Sequence, residues 1–557
     1  PAEYKQVTVL FADVVRSMDI AATVGAERLR EIMTELVSRA AAVVQRYGGT
    51  VDKFTGDGIM AVFGAPVALE DHALRACLAA LAIQEEAQRL AIAVTARDSV
   101  ELRLRIGLNS GQVIAGDIGS GALGYTAIGE QVGLAQRMES VAPPGGVMVS
   151  ESTVRLVEGA AVLGEPEMVR IKGAEGAVPA RRLLRMAAGR TGVSESTLVG
   201  REWELATLAA MLDRSMAGRG SVVAVVGPAG IGKTRLIREA VQLAKSRGVE
   251  VFSTFCESHA TDVAFRVVAR LLRAVAQVGG LDDQAARARL RERFSDADPE
   301  DLLLLDDLLG IADPEVELPK IDADARRRRL TALINAAQLA RSEPAVFVVE
   351  DAHWIDEVSE SMLADFLAVI PQTPSLLLIT YRPEYHGTLA HLTGAQSIAL
   401  APLSDSETAT LVTELLGPDP SVGQIGKLIA GRAAGNPFFA EEITRDLAER
   451  GVLVGESGGY ACDIDVAEVS VPATLQATIA ARIDRLGPAA KRTLAAAAVI
   501  GARFDHNLLA GLEADPVVDE LIAAELVDQV RFTPSAEYAF RHPLIRTVAY
   551  ESQLKSD

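Results

Sequence analysis

The stretch that most constrains this chain is "SVVAVVGPAGIGKTRLIREA", residues 221–240. It reads as a buried strand, a glycine-rich turn and a helix, so part of the chain must be an α/β domain. The turn fits G-x-x-x-x-G-K-[ST] through Gly227, Gly232, Lys233 and Thr234, with Gly230 inside it. The glycines let backbone N–H groups close around phosphates at the start of a helix. Lys233 adds a point charge, and Thr234 is placed to ligate magnesium. "PAVFVVEDAHWID" supplies a second buried strand whose end presents Glu350 and Asp351. One carboxylate there serves the magnesium water shell and the other polarises an attacking water; the spacing leaves open which does which. "LLLITYRPE" repeats the pattern and places Arg382 near a terminal phosphate.

A chain of 557 residues is too long for one core, and its length suggests three or four domains. Hydrophobic content of 49% is ample for globular cores. The formal charge of −20 argues against sequence-independent nucleic-acid binding over the whole surface, which needs a basic face. Cys77, Cys256 and Cys462 lie far apart in no metal-ligand spacing, and are expected as buried reduced thiols of a cytoplasmic protein. No apolar run approaches a membrane span and no signal-peptide pattern opens the chain. The chain begins at Pro1 rather than Met and stops at "SQLKSD", so a trimmed start and a missing C-terminal sensor are expected.

The expected organisation is multidomain. Residues 1–186 alternate strand and helix patterns as an α+β domain, and 187–198, including "AAGRTGVSEST", have a linker's composition. An α/β domain follows over 199–400, a helical domain over 401–475 and a small winged-helix-like domain over 476–557. Within the first domain, "KQVTVLFADV" is a strand, "TVDKFTGDGIMAVFG" a hairpin with Gly-Asp-Gly at or beside its turn, and "VELRLRIGLNSGQVIAGDIG" a strand pair.

With "VGRE", "EDAHWID", "TYRPE" and "GNPFF" added to the phosphate loop, residues 195 to 550 resemble the STAND class of signalling ATPases, close to AAA+ proteins. The resemblance implies a nucleotide-controlled switch that binds ATP. It matches Pro437 to a proline at the adenine pocket, and makes His542 either a reader of the phosphates or an ordinary packed histidine. The run Arg326–Arg329 is read as a solvated helix face, with a trans-acting arginine as the alternative.

In the first domain Asp13 ends an apolar strand and Asp57 lies in the hairpin, and two carboxylates brought together are the minimum for a two-metal site on a polyphosphate. The order "FADV", "KFTGD", "YTAIGEQVGLAQRM" and "IKG" resembles the class III nucleotide cyclases across residues 5 to 185. These are dimeric enzymes that turn ATP or GTP into the 3′,5′-cyclic monophosphate and pyrophosphate. The resemblance implies Asp13 and Asp57 as ligands for Mg2+ or Mn2+, and Lys53 and Thr126 as base-reading residues. It further implies Arg137 on the transition-state phosphate and Lys172 on the triphosphate. Lys53 and Thr126 favour ATP over GTP. One protomer supplies the metals and the other the remaining groups, so a homodimer or another cyclase domain is required. Gly133 stands where the family usually carries a ribose-orienting asparagine, one turn before Arg137. Losing such a donor typically costs about 10²–10³ in rate. Gln136 is either a substitute or plain surface. The expected function is therefore an adenylate cyclase weakened at Gly133 and regulated by the fused ATPase and an unidentified protein partner. The alternative is a degenerate cyclase fold that serves as the dimerisation module of an ATP-driven switch or transcriptional regulator.

Overall fold

The computed structural model describes residues 3–117, 125–170, 176–187, 197–392, 394–462, 472–513, 515–531 and 536–553. They form two compact units: Pro1–Glu195 with Arg445–Gly451 and Ile464–Asp557, and Ser196–Thr444 with Val452–Asp463.

The first unit opens with β1 (Glu3–Val14), α1 (Ser17–Val24), α2 (Ala26–Arg46), β2 (Thr50–Phe54), β3 (Gly58–Phe63), α3 (His72–Asp98) and β4 (Leu104–Asp117). It continues with β5 (Tyr125–Ile128), α4 (Glu130–Val141), β6 (Val147–Ser150), α5 (Glu151–Val157), β7 (Ala161–Leu163), β8 (Glu167–Arg170) and β9 (Ala177–Met186). The strands make one sheet in the order β2-β3-β1-β4-β6-β9-β7, with β5 on β4 and β8 on β9. Central β1 is apolar on both sides because both are covered. Leu10 meets Ile32, Leu36 and Ile83 of α2 and α3 on one face, and Val7, Val9 and Phe11 meet Val113 and Ala135 on the other. The hairpin forms as expected, closed by Thr55 N–H donating to the Gly58 carbonyl at 3.0 Å.

The expected strand pair over 100–119 is instead, within its described residues, the single strand β4, which pairs with β1 from Glu3↔Ala115 to Val14↔Leu104. Within it Gly111 serves a close approach: a Cβ there would lie 2.8 Å from the Gln131 side chain.

The second unit carries α6 (Glu202–Met216), β10 (Ser221–Val226), α7 (Lys233–Ser246), β11 (Glu250–Phe255), α8 (Arg266–Ala276), α9 (Asp283–Arg293), α10 (Pro299–Leu308) and α11 (Ala323–Leu339). Then come β12 (Ala345–Glu350), α12 (Glu357–Val369), β13 (Ser375–Tyr381), β14 (Gln396–Ala399), α13 (Asp405–Leu416), α14 (Gly423–Ala433) and α15 (Pro437–Glu449), whose residues from Arg445 onward count with the first unit. Its five-stranded sheet is parallel in the order β11-β12-β13-β10-β14, so the functional loops after β10, β12 and β13 share one edge.

The chain returns to the first unit with α16 (Ala473–Asp484), α17 (Pro488–Ile500), β15 (Arg503–Asp505), α18 (His506–Leu512), α19 (Val518–Ala523), β16 (Val527–Arg531), β17 (Glu537–Phe540) and α20 (Pro543–Glu551). The small sheet β15-β17-β16 beside these helices is the expected wing. Asp484 at the end of α16 accepts from Lys5 of β1, from Lys491 at 2.6 Å and from the Ala68 N–H at 2.7 Å. The side chains of Lys5 and Asp484 are 4% and 6% exposed, so this is a buried ion pair rather than surface decoration. Burial opposes ionisation of Asp484, but the two lysines and the amide outweigh it and hold the carboxyl below its ordinary range. Cys77, Cys256 and Cys462 are all buried. Among the described residues no helix is long and apolar enough to cross a membrane.

Candidate active sites

In the first unit, register brings the two predicted carboxylates together. Asp13 sits opposite Gly58 in the β1/β3 ladder, directly after Asp57, whose carbonyl accepts from Val14 N–H at 3.2 Å. Only glycine permits this approach, because a Cβ at Gly58 would lie 2.0 Å from the Ala12 carbonyl oxygen and 2.9 Å from Asp13 Oδ1. Burial first, then hydrogen bonding and repulsion from Asp57, raise the Asp13 carboxyl from 3.8 to about 7. For Asp57 burial acts in the same sense, but hydrogen bonds from Ser17 Oγ (2.7 Å) and Asp13 outweigh it and hold its carboxyl low. Asp13 Oδ1 is buried without a hydrogen-bond partner. Two carboxylates forced together, one with an orphaned oxygen, fit a divalent cation. Among the described residues no cluster of three or more His, Cys, Asp or Glu side chains adds protein ligands.

Sequence reasoning missed an ion pair beside the two carboxylates. Arg105 lies opposite Asp13 in the β1/β4 ladder and contacts Glu139 of α4 at 3.2 Å. Burial raises the Glu139 carboxyl, and its charge adds to the pressure on Asp13, while Arg105 favours both aspartates as anions.

Glu139 fixes how α4 is turned. Residues two apart on a helix project about 200° apart, so with Glu139 toward Asp13 and Asp57, Arg137 faces away from this chain's own carboxylate pair. The Arg137 guanidinium makes no hydrogen bond or ion pair among the described residues. Gly133 is one turn back on Arg137's face, and a Cβ there would meet nothing within 4 Å. Packing therefore does not demand the glycine. What does demand one is Gly107, where a Cβ would lie 1.9 Å from the Glu139 backbone nitrogen, so α4 rides directly on β4. Fully buried Asn109 holds the helix start, donating to the Gln131 carbonyl and to Gln131 Oε1, each at 2.9 Å, while Ser150 donates to its oxygen at 2.7 Å.

Lys53 is exposed on β2, with its ammonium 4.0 Å from Asp52. Thr126 lies on β5 opposite Gly116, and β2 and β5 adjoin. Lys172 lies outside the described residues. Gln136 is exposed.

In the second unit the glycine turn joins β10 to α7 as expected, with Gly230 and Gly232 at φ of +78° and +102°. Lys233 is buried at the helix start and donates to the Gly227 and Pro228 carbonyls at 2.6 and 2.9 Å, so its ammonium lies within the loop. Thr234 follows in the first turn. Glu350 ends β12, and Asp351 turns the chain at φ +56° with its N–H donating to Thr380 Oγ1 at 2.9 Å. Arg382 follows β13 and stands over the Trp354 ring. Two further groups brace the loop. Buried Arg201 of "VGRE" donates to the Ile231 and Ala401 carbonyls at 3.4 and 2.6 Å. Asn436 of "GNPFF" donates to the Ala229 carbonyl at 3.0 Å, and the Phe438 N–H to the Gly230 carbonyl at 3.2 Å, flanking Pro437. The arginine run is largely committed: Arg326 pairs with Asp307, Arg327 bonds Ser361 and Arg329 pairs with Asp301 and Glu300, leaving Arg328 exposed. His542 caps α20, its Nδ1 accepting from Leu544 N–H at 3.1 Å.

Comparison with known proteins adds two matches. A family described as the adenylate and guanylate cyclase catalytic domain matches residues 1–179, and one described as the AAA ATPase domain matches 197–379. An uncharacterized protein, R02095, of Rhizobium meliloti (strain 1021) is 27% identical over 99% of this chain and 55% of its own length. Adenylate cyclase 1 of the same organism is 31% identical over 30% of this chain and 24% of its own. An adenylate cyclase of Mycobacterium tuberculosis is 30% identical over 31% of this chain and 38% of its own. This chain thus spans about half, or less, of the length of these relatives. Among solved structures, the guanylate cyclase domain of RhGC from Catenaria anguillulae, in complex with GTP, is 31% identical with a TM-score of 0.31, covering 33% of this chain and 99% of that one. The adenylyl cyclase CyaB from P. aeruginosa is 26% identical with a TM-score of 0.32, covering 34% and 100%.

Proposed function

Since residues 1–179 form a class III adenylate/guanylate cyclase domain and 197–379 an AAA ATPase domain, we propose that two copies of this chain convert ATP to 3′,5′-cyclic AMP and pyrophosphate under the control of the ATPase. The observation that carries this reading is the split of the site by α4. Glu139 faces the Asp13–Asp57 pair while Arg137, on the opposite side, has no partner among the described residues. One chain thus offers a metal-binding half and an arginine-bearing half that do not meet, and a second copy would complete both.

Asp13 and Asp57 would hold Mg2+ or Mn2+, which when bound favours ionisation of the ribose 3′-hydroxyl and neutralises the phosphates. Two carboxylates leave the remaining positions to water and substrate phosphate. From the second copy, Arg137 would meet the charge that develops on the α-phosphate, Lys172 would hold the triphosphate, and Lys53 and Thr126 would read adenine. With Gly133 lacking a donor, the ribose is held less firmly and turnover is slow. In the ATPase, Gly227, Gly230 and Gly232 would expose amides to the phosphates beside Lys233 and Thr234. Glu350, Asp351 and Arg382 would line the terminal phosphate, in the manner of a STAND switch.

The test is cyclic-nucleotide formation by the purified chain, with ATP and GTP in parallel, magnesium and then manganese, and Asp57→Ala as the blank. Cyclic AMP at a rate second order in protein at low concentration is expected. Activity strictly proportional to protein through the monomer range would sink the shared site. No product from the wild type or from Gly133→Asn, with ATP still bound at Lys233, would favour the degenerate-module reading instead.

A further inference from the structure

The geometry points to a binding site for a small amphipathic anion in a cavity of the ATPase unit, at the sheet edge opposite the phosphate loop. The cavity measures about 390 Å³, within the roughly 300–1,000 Å³ usual for small-molecule sites. It opens where β11 and β12 begin, at Glu250 and just ahead of Ala345, whereas the phosphate loop follows the far end of β10. It is therefore a separate place from the nucleotide site.

The interior is apolar, walled by Leu271 and Leu272 of α8, Ile334 of α11, Phe347 of β12 and Phe366 of α12. Such a lining favours a hydrocarbon or ring body over a nucleotide. Gln338 also lines it but donates to the Thr373 and Ser375 hydroxyls, whereas two polar atoms of the wall have no partner. Thr331, 8% exposed, has its hydroxyl buried with no hydrogen-bond partner, and Asn335 Oδ1 is in the same condition. A buried hydroxyl without a partner is costly in an apolar setting, and a polar atom on a bound molecule would satisfy it.

The mouth carries Arg293, Arg341, Glu250 and Glu343. Arg341 is already engaged, with Glu250 at 2.5 Å and with the Glu343 carbonyl at 3.0 Å. Arg293 has no hydrogen bond or ion pair among the described residues. Desolvation and then the like charge of Arg341 hold its guanidinium below the usual range, with Glu250 pulling the other way. A carboxylate on the ligand would supply the counter-ion that Arg293 lacks, while its apolar body fills the space behind.

Decanoate and decanol, titrated into the full chain by calorimetry, test this site. One saturable decanoate site per chain is expected, with Arg293→Ala weakening decanoate about tenfold and leaving decanol unchanged. Ile334→Trp, which fills the cavity, should remove both while ATP still binds at Lys233. Absence of saturable decanoate binding, equal loss of both ligands in Arg293→Ala, or undiminished binding in Ile334→Trp would each overturn the proposal. Should Ile334→Trp fail to fold, the decanoate-to-decanol ratio in the Arg293 variant decides alone.

Discussion

Manganese affinity of the cyclase half should depend on pH in a window where ordinary carboxylates give no dependence. Asp13 is raised from 3.8 to about 7 by burial and by the neighbouring Asp57, whose own carboxyl is held low. Metal binds the ionised pair, so below that value a cation must displace one proton from Asp13 and none from Asp57. The ionised fraction of Asp13 is about 0.9 at pH 8, 0.5 at pH 7 and 0.1 at pH 6, so apparent affinity should fall about tenfold from pH 8 to pH 6. Electron paramagnetic resonance of free Mn2+ reads the affinity, with Asp13→Asn subtracting weak sites elsewhere. Calorimetry in two buffers of different ionisation enthalpy should find about half a proton released per metal at pH 7. A flat affinity between pH 6 and 8, or release of no proton, would refute the argument that β3 forces Asp57 against Asp13.

Four further outcomes are expected. Gly133→Asn fits without displacing any neighbour and should raise cyclase turnover by about 10²-fold in a kcat assay while leaving Tm within a few degrees. His72, buried against the Thr8 hydroxyl at 2.7 Å, is lowered from 6.5 to about 4 by desolvation. Its neutral form stabilises the fold above pH 6.5, and that contribution drains away as pH falls toward 4. Denaturation at pH 7 and pH 5 should differ by about 2 kcal/mol from this residue alone, a difference that His72→Gln abolishes. Gly230→Ala places a methyl group 2.8 Å from both Asn436 Oδ1 and Phe438 Cβ at a φ of +78°, so fluorescent ATP analogues should bind the second unit at least tenfold more weakly. Asp484→Ala leaves buried Lys5 only the part-exposed Glu3 carboxylate at 3.0 Å and should cost the first unit about 3 kcal/mol in a denaturant titration, with Asp484→Asn intermediate.

Much of both candidate sites was legible because the chemistry sits where a local pattern changes. Asp13 ends an apolar strand, Asp57 marks a hairpin and Lys233 follows a glycine turn, and each signal spans fewer than about twenty residues. What stayed hidden depends on register and long-range packing. Arg105 matters because it falls opposite Asp13, which no local pattern encodes. Glu139 matters because α4 lies flush on Gly107, a close approach that one glycine in a strand does not announce. The expected strand pair failed for a related reason, since β4 runs unbroken through Gly111, whose use is to admit Gln131. Asn436 reaches the phosphate loop across 207 positions of sequence, and only the fold shows the contact.

The Lys5–Asp484 pair has a consequence for the order in which the molecule can be finished. Its partners are 479 residues apart, and the whole ATPase unit is encoded between them. At about 5–20 residues per second a ribosome needs roughly half a minute to a minute and a half to reach Asp484 after making Lys5. During that interval Lys5 of β1 has only the part-exposed Glu3 as counter-charge, while the parallel sheet of the ATPase acquires its complete sequence. Synthesis thus supplies the whole ATPase unit before Lys5 can meet Asp484, and a nascent chain arrested within the ATPase would carry the first unit's nine-stranded sheet without the helices from α16 onward.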